Sequence, residues 1–260
     1  MVEALLLGEG DVDEVIRLYS NYAPHDLRSP RDPLWMRSHI GIDLFIFGVR
    51  YKGELIAVAW VAEKKNFVYF TIGNDHITLK DDGNHFDSGG FFIRPDYQGR
   101  GLLRILTAAI FTPWFTRMHI TNPPDIWGRM MGHKSEEGNP LFWKEVGEKL
   151  TRISYRHLIE LPFGVMEKMI WDHWPKEPIP LVEIPTAILK QTLGVSFGPL
   201  IEPKNRLISW GFTEVMDRYV PTSLNHFMCA SKENFLGCVG DPERFFEDAL
   251  SQAKSSLKNV

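Results

Sequence analysis

The 260-residue sequence is poor in cysteine, has no block of basic residues and contains no long apolar run. Its two cysteines, Cys229 and Cys238, form no Cys-x-x-Cys motif and no Cys/His spacing suited to zinc. We therefore expect a reduced, cytoplasmic setting and no bound metal. The formal net charge of −4, without a lysine or arginine cluster, argues against a nucleic-acid partner. No apolar stretch approaches the roughly 20 residues that span a bilayer, which excludes a membrane protein.

The composition is that of a globular protein, with 44% hydrophobic and 24% charged residues. The apolar run of residues 1–7 has no basic residue before it and ends at Gly8, which predicts a first strand rather than a signal peptide. Asp11 precedes apolar residues at helical spacing, which predicts a helix. Residues 44–61 are rich in β-branched and aromatic types around a Lys52-Gly53 turn, which predicts a β-hairpin.

The next segment leads to a glycine turn. An apolar strand is predicted at residues 67–72, followed by an elaborated polar loop over residues 73–90. Residues 91–93 predict a short buried strand, and the apolar spacing of residues 102–110 predicts a helix. The order of strand, glycine turn and helix is the one that a phosphate site needs.

The second half of the chain alternates short helices and strands, with prolines between them. Its predicted elements are a strand at 126–127, a helix at 139–147, a helical insertion at about 155–200, a helix at 203–212, a closing strand at 212–219, and an amphipathic helix from Asp241 with a frayed tail. We expect residues 1–240 to form one α/β domain that contains the insertion, and residues 241–260 to form a C-terminal helix and tail.

Residues 98–101, Gln-Gly-Arg-Gly, carry the strongest functional signal. Glycines at positions 99 and 101 let main-chain N–H groups converge on a phosphate without a Cβ in the way, and the helix that follows adds the positive end of its dipole. Arg100 and Arg104 can supply charge-assisted hydrogen bonds to further phosphate oxygens. The alternative is a plain glycine turn, but the order of the flanking elements favours the phosphate site.

This loop resembles the Q/R-x-x-G-x-G/A motif of the GNAT acyltransferases, with Gln98 and Gly101 at matching positions and Leu103 where that family prefers Gly or Ala. The resemblance implies an α/β fold with a mixed, mainly antiparallel twisted sheet flanked by helices, and acyl-coenzyme A as co-substrate. It also implies that the strand before the loop binds the pantetheine and that the loop binds the pyrophosphate. The implied cofactor-binding residues are Phe91, Phe92, Ile93, Gln98, Gly99, Arg100, Gly101, Leu102, Leu103 and Arg104.

A narrower resemblance covers roughly residues 40–230. Residues 131–147 are similar to the M-R-G-x-x-x-E-x-G-x-S-P-F-W-x-x-L-G signature of the bacterial arginine N-succinyltransferases. Phe197 stands where that family's Val-His-Pro carries a proton-transfer histidine, and residues 220–222 replace an acidic, glycine-rich segment. Asp217 is retained as a substrate residue. The resemblance therefore implies the acyl-CoA scaffold but leaves the acceptor open.

Aminolysis of a thioester needs a deprotonated amine, and a carboxylate, a histidine or an ordered water can take up the proton. The candidate bases are Glu136, Glu137, His133, Glu63 and Asp87. Glu136 matches the acidic position of the succinyltransferase signature, although a carboxylate that stabilises a helix N-terminus is an alternative role. Glu63 can equally be a solvated strand end, and His133 can cap a loop. Trp143 or Trp210 occupies the place of the GNAT tyrosine acid, and neither has a usable acidic proton.

Three functions remain open at this point. The first is N-acylation of a small-molecule amine or amino acid by an acyl-CoA enzyme. The second is a catalytically degenerate acyl-CoA-binding or regulatory module, which the absent histidine and tyrosine favour. The third is a relative that uses charged tRNA, which the negative net charge disfavours. The acyl group, the acceptor and the presence of a homodimer stay open.

Overall fold

A computed structural model describes residues 1–22, 32–73, 75–116, 124–161 and 165–258. The strands in these ranges are β1 Val2–Leu6, β2 Leu44–Tyr51, β3 Glu54–Lys64, β4 Val68–Gly73, β5 His76–Asp81, β6 His85–Ile93, β7 Ile126–Arg129, β8 Ile179–Pro180, β9 Thr213–Tyr219 and β10 His226–Ala230. The helices are α1 Val12–Tyr22, α2 Pro33–His39, α3 Leu102–Thr116, α4 Glu148–Thr151, α5 Tyr155–Glu160, α6 Val165–His173, α7 Thr186–Thr192, α8 Ile201–Ser209, α9 Lys232–Val239 and α10 Pro242–Leu257.

The chain divides into two compact units. Unit 1 comprises Met1–Glu63, Phe86–Asp125 and Ser231–Val260, and unit 2 comprises Lys64–His85 and Ile126–Ala230. Helix α10 therefore belongs to unit 1. The assignment of residues 1–240 to one domain with a helical insertion stays a prediction.

Unit 1 is built on strands in the order β1-β2-β3-β6. Strand β1 pairs antiparallel with β2, and β2 pairs antiparallel with β3. The β2–β3 turn places Lys52 and Gly53 at φ angles of 51° and 86°, which suits the right-handed twist of the hairpin. In β6, a Cβ on Gly89 would lie 2.6 Å from the Trp60 ring, and one on Gly90 would lie 2.3 Å from it. Only glycine lets this strand pass the indole.

Two helices of unit 1 pack along each other, α3 and α10. The Asp241 carboxylate caps α10 by accepting from the main-chain N–H groups of Glu243 and Arg244. Buried side chains then recur at Phe245, Ala249, Ala253 and Leu257, which form one face of the helix. This face fixes the helix on unit 1 up to its last turn.

Unit 2 is built on strands in the order β7-β10-β9-β4-β5-β8. The pairs β10–β7, β10–β9, β4–β5, β4–β9 and β5–β8 are all antiparallel. A buried hydrophobic cluster of Phe67, Tyr69, Val220 and Phe227 lies within the unit. The chain thus has the α/β fold class expected from the sequence, with mainly antiparallel strands and flanking helices.

The hairpin of residues 44–61 is confirmed, whereas the loop predicted at residues 73–90 is wrong. Most of that segment forms β5 and the first part of β6, because β5 pairs residue by residue with β4 and the ladder satisfies its polar main chain. Residues 91–93 end a nine-residue strand and are partly exposed instead of buried. The tail predicted to fray is helical through Leu257, whose side chain is buried.

None of the helices in the described ranges has the length and apolar character needed to cross a lipid bilayer. The free thiols of Cys229 and Cys238 are buried and exposed, respectively.

Candidate active site

The glycine loop joins the end of β6 to the start of α3 within unit 1. After Ile93 the chain makes a single 3-10 turn at Pro95–Tyr97, and α3 begins at Leu102. Gly99 and Gly101 have φ angles of 75° and 80°, in the left-handed region that glycine enters without strain. The backbone conformation thus explains why positions 99 and 101 are both glycine.

The loop presents the N-terminus of a 15-residue helix. The first N–H groups of a helix have no acceptor within it, and the helix dipole adds partial positive charge at that end. Leu102, at 1% exposure, anchors the first turn in the core, while Gln98 and Gly99 stay exposed. The amides are therefore held on a fixed helix beside a loop open to solvent, which is the arrangement of an anion site.

Arg100 and Arg104 add two full positive charges to this loop. Arg100 donates through Nη1 to the main-chain carbonyl of Ser256 at 3.1 Å, and Arg104 donates through Nη1 to Oε1 of Gln252 at 3.3 Å. Among the residues that the structure describes, neither arginine forms an ion pair with a carboxylate, and the Nε atom of each is buried without a hydrogen-bond partner. The loop thus carries two positive charges whose described hydrogen-bond acceptors are neutral oxygens.

Arg94, unlike Arg100 and Arg104, forms ion pairs with carboxylates. Arg94, just before the 3-10 turn, pairs with Asp96 at 2.7 Å and with Glu54 at 3.0 Å. The hydrogen bond from Arg94 lowers the pKa of the Asp96 carboxyl, and the Arg100 charge adds to this effect. Arg94 is thereby compensated within the fold, which leaves Arg100 and Arg104 as the arginines of the loop available to a bound anion.

Helix α10 forms one side of the loop, which the sequence did not predict. Besides Ser256 and Gln252, Phe245 lies under Arg104, with the guanidinium 5.0 Å from the ring centroid. A Cβ on Gly101 would lie 3.7 Å from the Gln252 side chain. The spacing of positions 245, 249, 252 and 256 indicates one helical face, but no local pattern says that this face packs beside a loop about 150 residues earlier.

The predicted pantetheine strand ends next to this loop. The side-chain amide of Gln98 donates to the carbonyl of Ile93 at 3.2 Å, and the Tyr19 hydroxyl donates to the carbonyl of Gly90 at 2.7 Å. Phe91, Phe92 and Ile93 are each partly exposed. The end of β6 and the loop are therefore continuous, with accessible side chains along the strand.

The candidate bases of unit 1 differ in exposure. Glu63 is exposed at the end of β3, and its main-chain N–H donates to the carbonyl of Asp43 at 2.8 Å. Asp87, in β6, is only 1% exposed. The Glu63 carboxylate is accessible to a substrate from solvent, whereas the Asp87 carboxylate is buried in the fold.

The candidate bases of unit 2 lie on one turn or just before it. Residues 135–139 are closed by a hydrogen bond from the Ser135 N–H to the Asn139 carbonyl, and Lys134 bridges to Pro140. Glu136 and Glu137 are exposed on this turn, where Glu137 pairs with Lys144 at 3.3 Å, and His133 precedes the turn with a partly exposed side chain. Because helical structure begins only at residue 141, Glu136 does not lie in a first helical turn. The position of Glu136 therefore does not support the alternative role of stabilising a helix N-terminus.

The position of the absent histidine, Phe197, lies in a packed region of unit 2. Its N–H donates to the Met131 carbonyl, and the Asn225 side chain donates to the Ser196 hydroxyl at 3.1 Å. His226 follows Asn225 in the chain. Its ring is buried, and a Cβ added to Gly194 would lie 2.8 Å from it. Burial lowers the pKa of His226 against an opposing effect of Glu214, which favours the neutral ring.

Comparison with solved structures shows which fold this arrangement belongs to. The structure of arginine/ornithine succinyltransferase subunit AI from Pseudomonas aeruginosa aligns with a TM-score of 0.60 at 14% identity, over 92% of this chain and 79% of that one. The chain has a GNAT fold. An N-acetyltransferase from Staphylococcus aureus Mu50 aligns with a TM-score of 0.34 at 14% identity, over 49% of this chain and 70% of that one.

A predicted acetyltransferase with acetyl-CoA from Clostridium acetobutylicum aligns with a TM-score of 0.33 at 12% identity, over 55% of this chain and 88% of that one. No family model and no curated protein matches the sequence. The likeness to the succinyltransferase subunit concerns the fold alone.

Of the two aromatic residues at the place of the tyrosine acid, Trp143 is structural. Trp143 is fully buried and donates its indole N–H to the Ile153 carbonyl at 3.0 Å. Residues 143–147 form one π-helical turn, in which a Cβ on Gly147 would lie 2.5 Å from the Trp143 ring. Trp143 thus has a packing role, and its indole N–H is not acidic enough to protonate a thiolate.

Two carboxylates of unit 2 have contrasting surroundings. Asp217 is exposed on β9, where its charge adds to the effect of burial in raising the pKa of Tyr219. Glu167 is buried at 2% exposure, and its Oε1 lies 2.8 Å from Lys64 Nζ and 2.7 Å from Arg129 Nη2. Burial favours the protonated form, but the two cations outweigh it and lower the pKa of the Glu167 carboxyl. Asp217 is accessible to a substrate, whereas Glu167 stabilises the interior.

Proposed function

We propose that this chain is an acyl-CoA-dependent N-acyltransferase that transfers an acetyl, succinyl or similar acyl group to the amine of a small molecule or amino acid. The observation that carries the proposal is the loop of residues 98–104, where a helix N-terminus, two left-handed glycines and two arginines without a carboxylate partner meet in a GNAT fold. The proposed setting is the cytoplasm, without a metal, a nucleic acid or a membrane.

The charge of the loop suits the pyrophosphate of coenzyme A. Two adjacent phosphates need several donors close together, and the loop supplies main-chain N–H groups together with the Arg100 and Arg104 side chains. Since the whole chain has a net charge of −4, attraction for an anion must be local. The phosphates would compete with the neutral acceptors Ser256 and Gln252 for the two guanidinium groups. A charge-assisted bond to phosphate is the stronger of the two alternatives.

The proposed chemistry is aminolysis of the thioester. The amine nitrogen bonds to the acyl carbonyl carbon, the bond from that carbon to sulfur breaks, and the amine proton passes to a base. At pH 7 only about one in a hundred to one in a thousand molecules of an amine with a pKa of roughly 9–10 is neutral, so a base is useful. We propose Glu136 for this role, directly or through water, with His133 and Glu63 as the next candidates and Asp217 as a substrate residue.

Glu136→Gln is expected to lower turnover at pH 7 by about 10²-fold, the low end for a general base, because an exposed carboxylate competes with water. The loss should shrink as pH rises and free amine accumulates. The pH–rate profile measures this, and Glu145→Gln is the matched control, since Glu145 lies beyond the turn and pairs with Lys149 at 3.1 Å. Near-parental turnover of Glu136→Gln at pH 7 would remove Glu136 from the mechanism.

A second function is a binding module of the same fold without turnover. It is favoured by Phe197 in place of a histidine and by the buried, hydrogen-bonded Trp143 in place of a tyrosine acid. A CoA thiolate can leave without protonation by the protein, since thiols have pKa values of roughly 8.5. Thiol release from acetyl-CoA and succinyl-CoA over a panel of amines separates the two functions. An enzyme releases thiol with at least one amine, whereas a module binds CoA and releases none.

Free arginine is expected to be a poor acceptor. The related structure is named as an arginine/ornithine succinyltransferase, but in this chain Phe197 and the short segment of residues 220–222 replace the groups that the resemblance assigns to the acceptor. We expect arginine to be succinylated at least tenfold more slowly than the best amine in the panel. A difference of that size is on the order of the loss of one polar contact with the acceptor. Arginine as the fastest acceptor would overturn this expectation.

A further inference from the structure

Gln252 of α10 lies against the glycine loop, next to the first turn of α3. Its side-chain Oε1 accepts a hydrogen bond from Arg104 Nη1 at 3.3 Å. A Cβ on Gly101 would lie 3.7 Å from Gln252 Cδ and 3.9 Å from its Oε1. A neutral oxygen of the protein therefore lies beside the loop to which we assign the pyrophosphate, and it is bonded to one of the two arginines that the pyrophosphate needs.

The Arg104 guanidinium is held at this place without a carboxylate. It lies 5.0 Å from the ring centroid of Phe245, whose own side chain is buried. The Nε atom of Arg104 is buried and has no hydrogen-bond partner among the described residues. The aromatic face thus supports the guanidinium from one side, and Gln252 supplies a neutral acceptor that a charged one can replace.

Arg100 is held by a different part of α10. Its Nη1 donates to the Ser256 carbonyl at 3.1 Å, and the Tyr51 hydroxyl donates to the next carbonyl, that of Leu257, at 2.7 Å. Carbonyls in the last turn of a helix have no donor within the helix, so these two side chains satisfy the end of α10. The contact of Arg100 therefore supports the fold, whereas Gln252 is an exposed side chain whose amide is not part of the helix backbone.

We propose that Gln252 sets the affinity of the loop for coenzyme A by competing with its phosphates for Arg104. This inference rests on the proposed function, in which the loop binds the pyrophosphate. In the free protein the Gln252 amide oxygen accepts from Arg104, and in the bound protein a phosphate oxygen takes its place while the amide turns to water. Because this bond must break on binding, it subtracts from the affinity. Gln252 acts only through Arg104 and is therefore a positioning residue.

The test is calorimetric titration of the intact parent, Gln252→Met and Gln252→Glu with coenzyme A and with inorganic pyrophosphate. The three side chains have similar lengths and helix propensities, so the midpoint of thermal unfolding should not change. Gln252→Met removes the competing acceptor and is expected to bind both ligands about two- to fivefold more tightly, the effect of one exposed hydrogen bond. Gln252→Glu pairs with Arg104 and repels phosphate, and is expected to bind about fivefold more weakly or worse.

The sign of the Gln252→Met effect decides between competition and support. If Gln252 only held Arg104 in the binding geometry, its loss would weaken binding. Ser251→Met and Ser251→Glu are the matched controls, because Ser251 is exposed and precedes Gln252 on α10, and both should bind within about twofold of the parent. In an Arg104→Met background the gain from Gln252→Met should disappear, as expected for two coupled residues.

Two results would overturn the proposal while the parent binds coenzyme A. One is binding by Gln252→Met that is no tighter than that of the parent, and the other is an equal gain in the Arg104→Met background. A parent protein that binds neither coenzyme A nor pyrophosphate would instead contradict the proposed function, and this inference with it.

Discussion

Gly101→Glu is expected to weaken coenzyme A binding by at least 100-fold while the protein stays folded. The substitution places a carboxylate among the N-terminal amides of α3, beside Arg100 and Arg104. It would pair with those donors and repel a diphosphate. Each repelled or lost charge-assisted contact costs about 1.5–3 kcal/mol, so the loss of two such contacts weakens binding by at least about 100-fold. Gly101 has a φ of 80°, so any side chain there also adds local strain of about 1–2 kcal/mol, but a Cβ meets only Gln252 at ordinary contact distance.

The control for this variant is Gly101→Gln, which has the same size and the same backbone strain without the charge. Calorimetry with coenzyme A and thermal unfolding are measured on both variants. We expect similar midpoints of unfolding for the two, slightly below the parent, and much weaker binding by Gly101→Glu than by Gly101→Gln. Binding of coenzyme A by Gly101→Glu as tightly as by the parent would show that the site assignment is wrong.

Glu167→Gln is expected to lower the free energy of unfolding by about 3–5 kcal/mol, the range for breaking a buried ion pair. The carboxylate lies between Lys64 and Arg129, with all three side chains less than 10% exposed. Its removal leaves two buried cations close together without the anion that separates them. Urea unfolding measures the loss, and the linear dependence on urea should keep its slope if only the folded state changes.

Glu160→Gln is the matched control, because Glu160 pairs with Arg156 on the surface, where both side chains are more than half exposed. Surface pairs of this kind contribute about 0–1 kcal/mol. A loss below 1 kcal/mol in Glu167→Gln, no greater than that of the control, would mean that the buried pair is not as described.

The same carboxylate gives a pH dependence with a defined sign. The pKa of Glu167 is lowered in the folded protein, so its contribution is fully present above the unfolded value of roughly 4.3 and is lost as pH falls towards the folded value. The difference in stability between the parent and Glu167→Gln should therefore be constant from pH 7 to about pH 5 and shrink below about pH 4.

Local patterns predicted the parts of the fold that local contacts determine. The hairpin around Lys52-Gly53 and the strand, glycine turn and helix at the loop are set by residues close in sequence, and both were predicted. Strand β5 was missed because its polar residues become a strand only through pairing with β4. Strand β10 was also missed, since its five residues are buried on both faces and lack the alternation that marks a strand.

For the candidate site, the local pattern indicates the glycine loop but not the contacts that surround it. The positions of Arg100 and Arg104 followed from the motif, but their contacts with Ser256 and Gln252 join positions about 150 residues apart, which no spacing reveals. Glu136 was chosen by resemblance, and its exposed turn neither requires nor forbids a catalytic role. The sequence does not single out His226, because the environment that sets the pKa of a lone histidine comes from residues distant in the chain.

A crystal structure of the protein with coenzyme A tests the central claim most directly. The expected result is a pyrophosphate within hydrogen-bond distance of the main-chain N–H groups of residues 99–102, with the Arg100 and Arg104 guanidinium groups turned from Ser256 and Gln252 towards its oxygens. The pantetheine should follow the end of β6 at Phe91, Phe92 and Ile93. A pyrophosphate bound elsewhere on the chain, or crystals that take up no coenzyme A at millimolar concentration, would contradict the account.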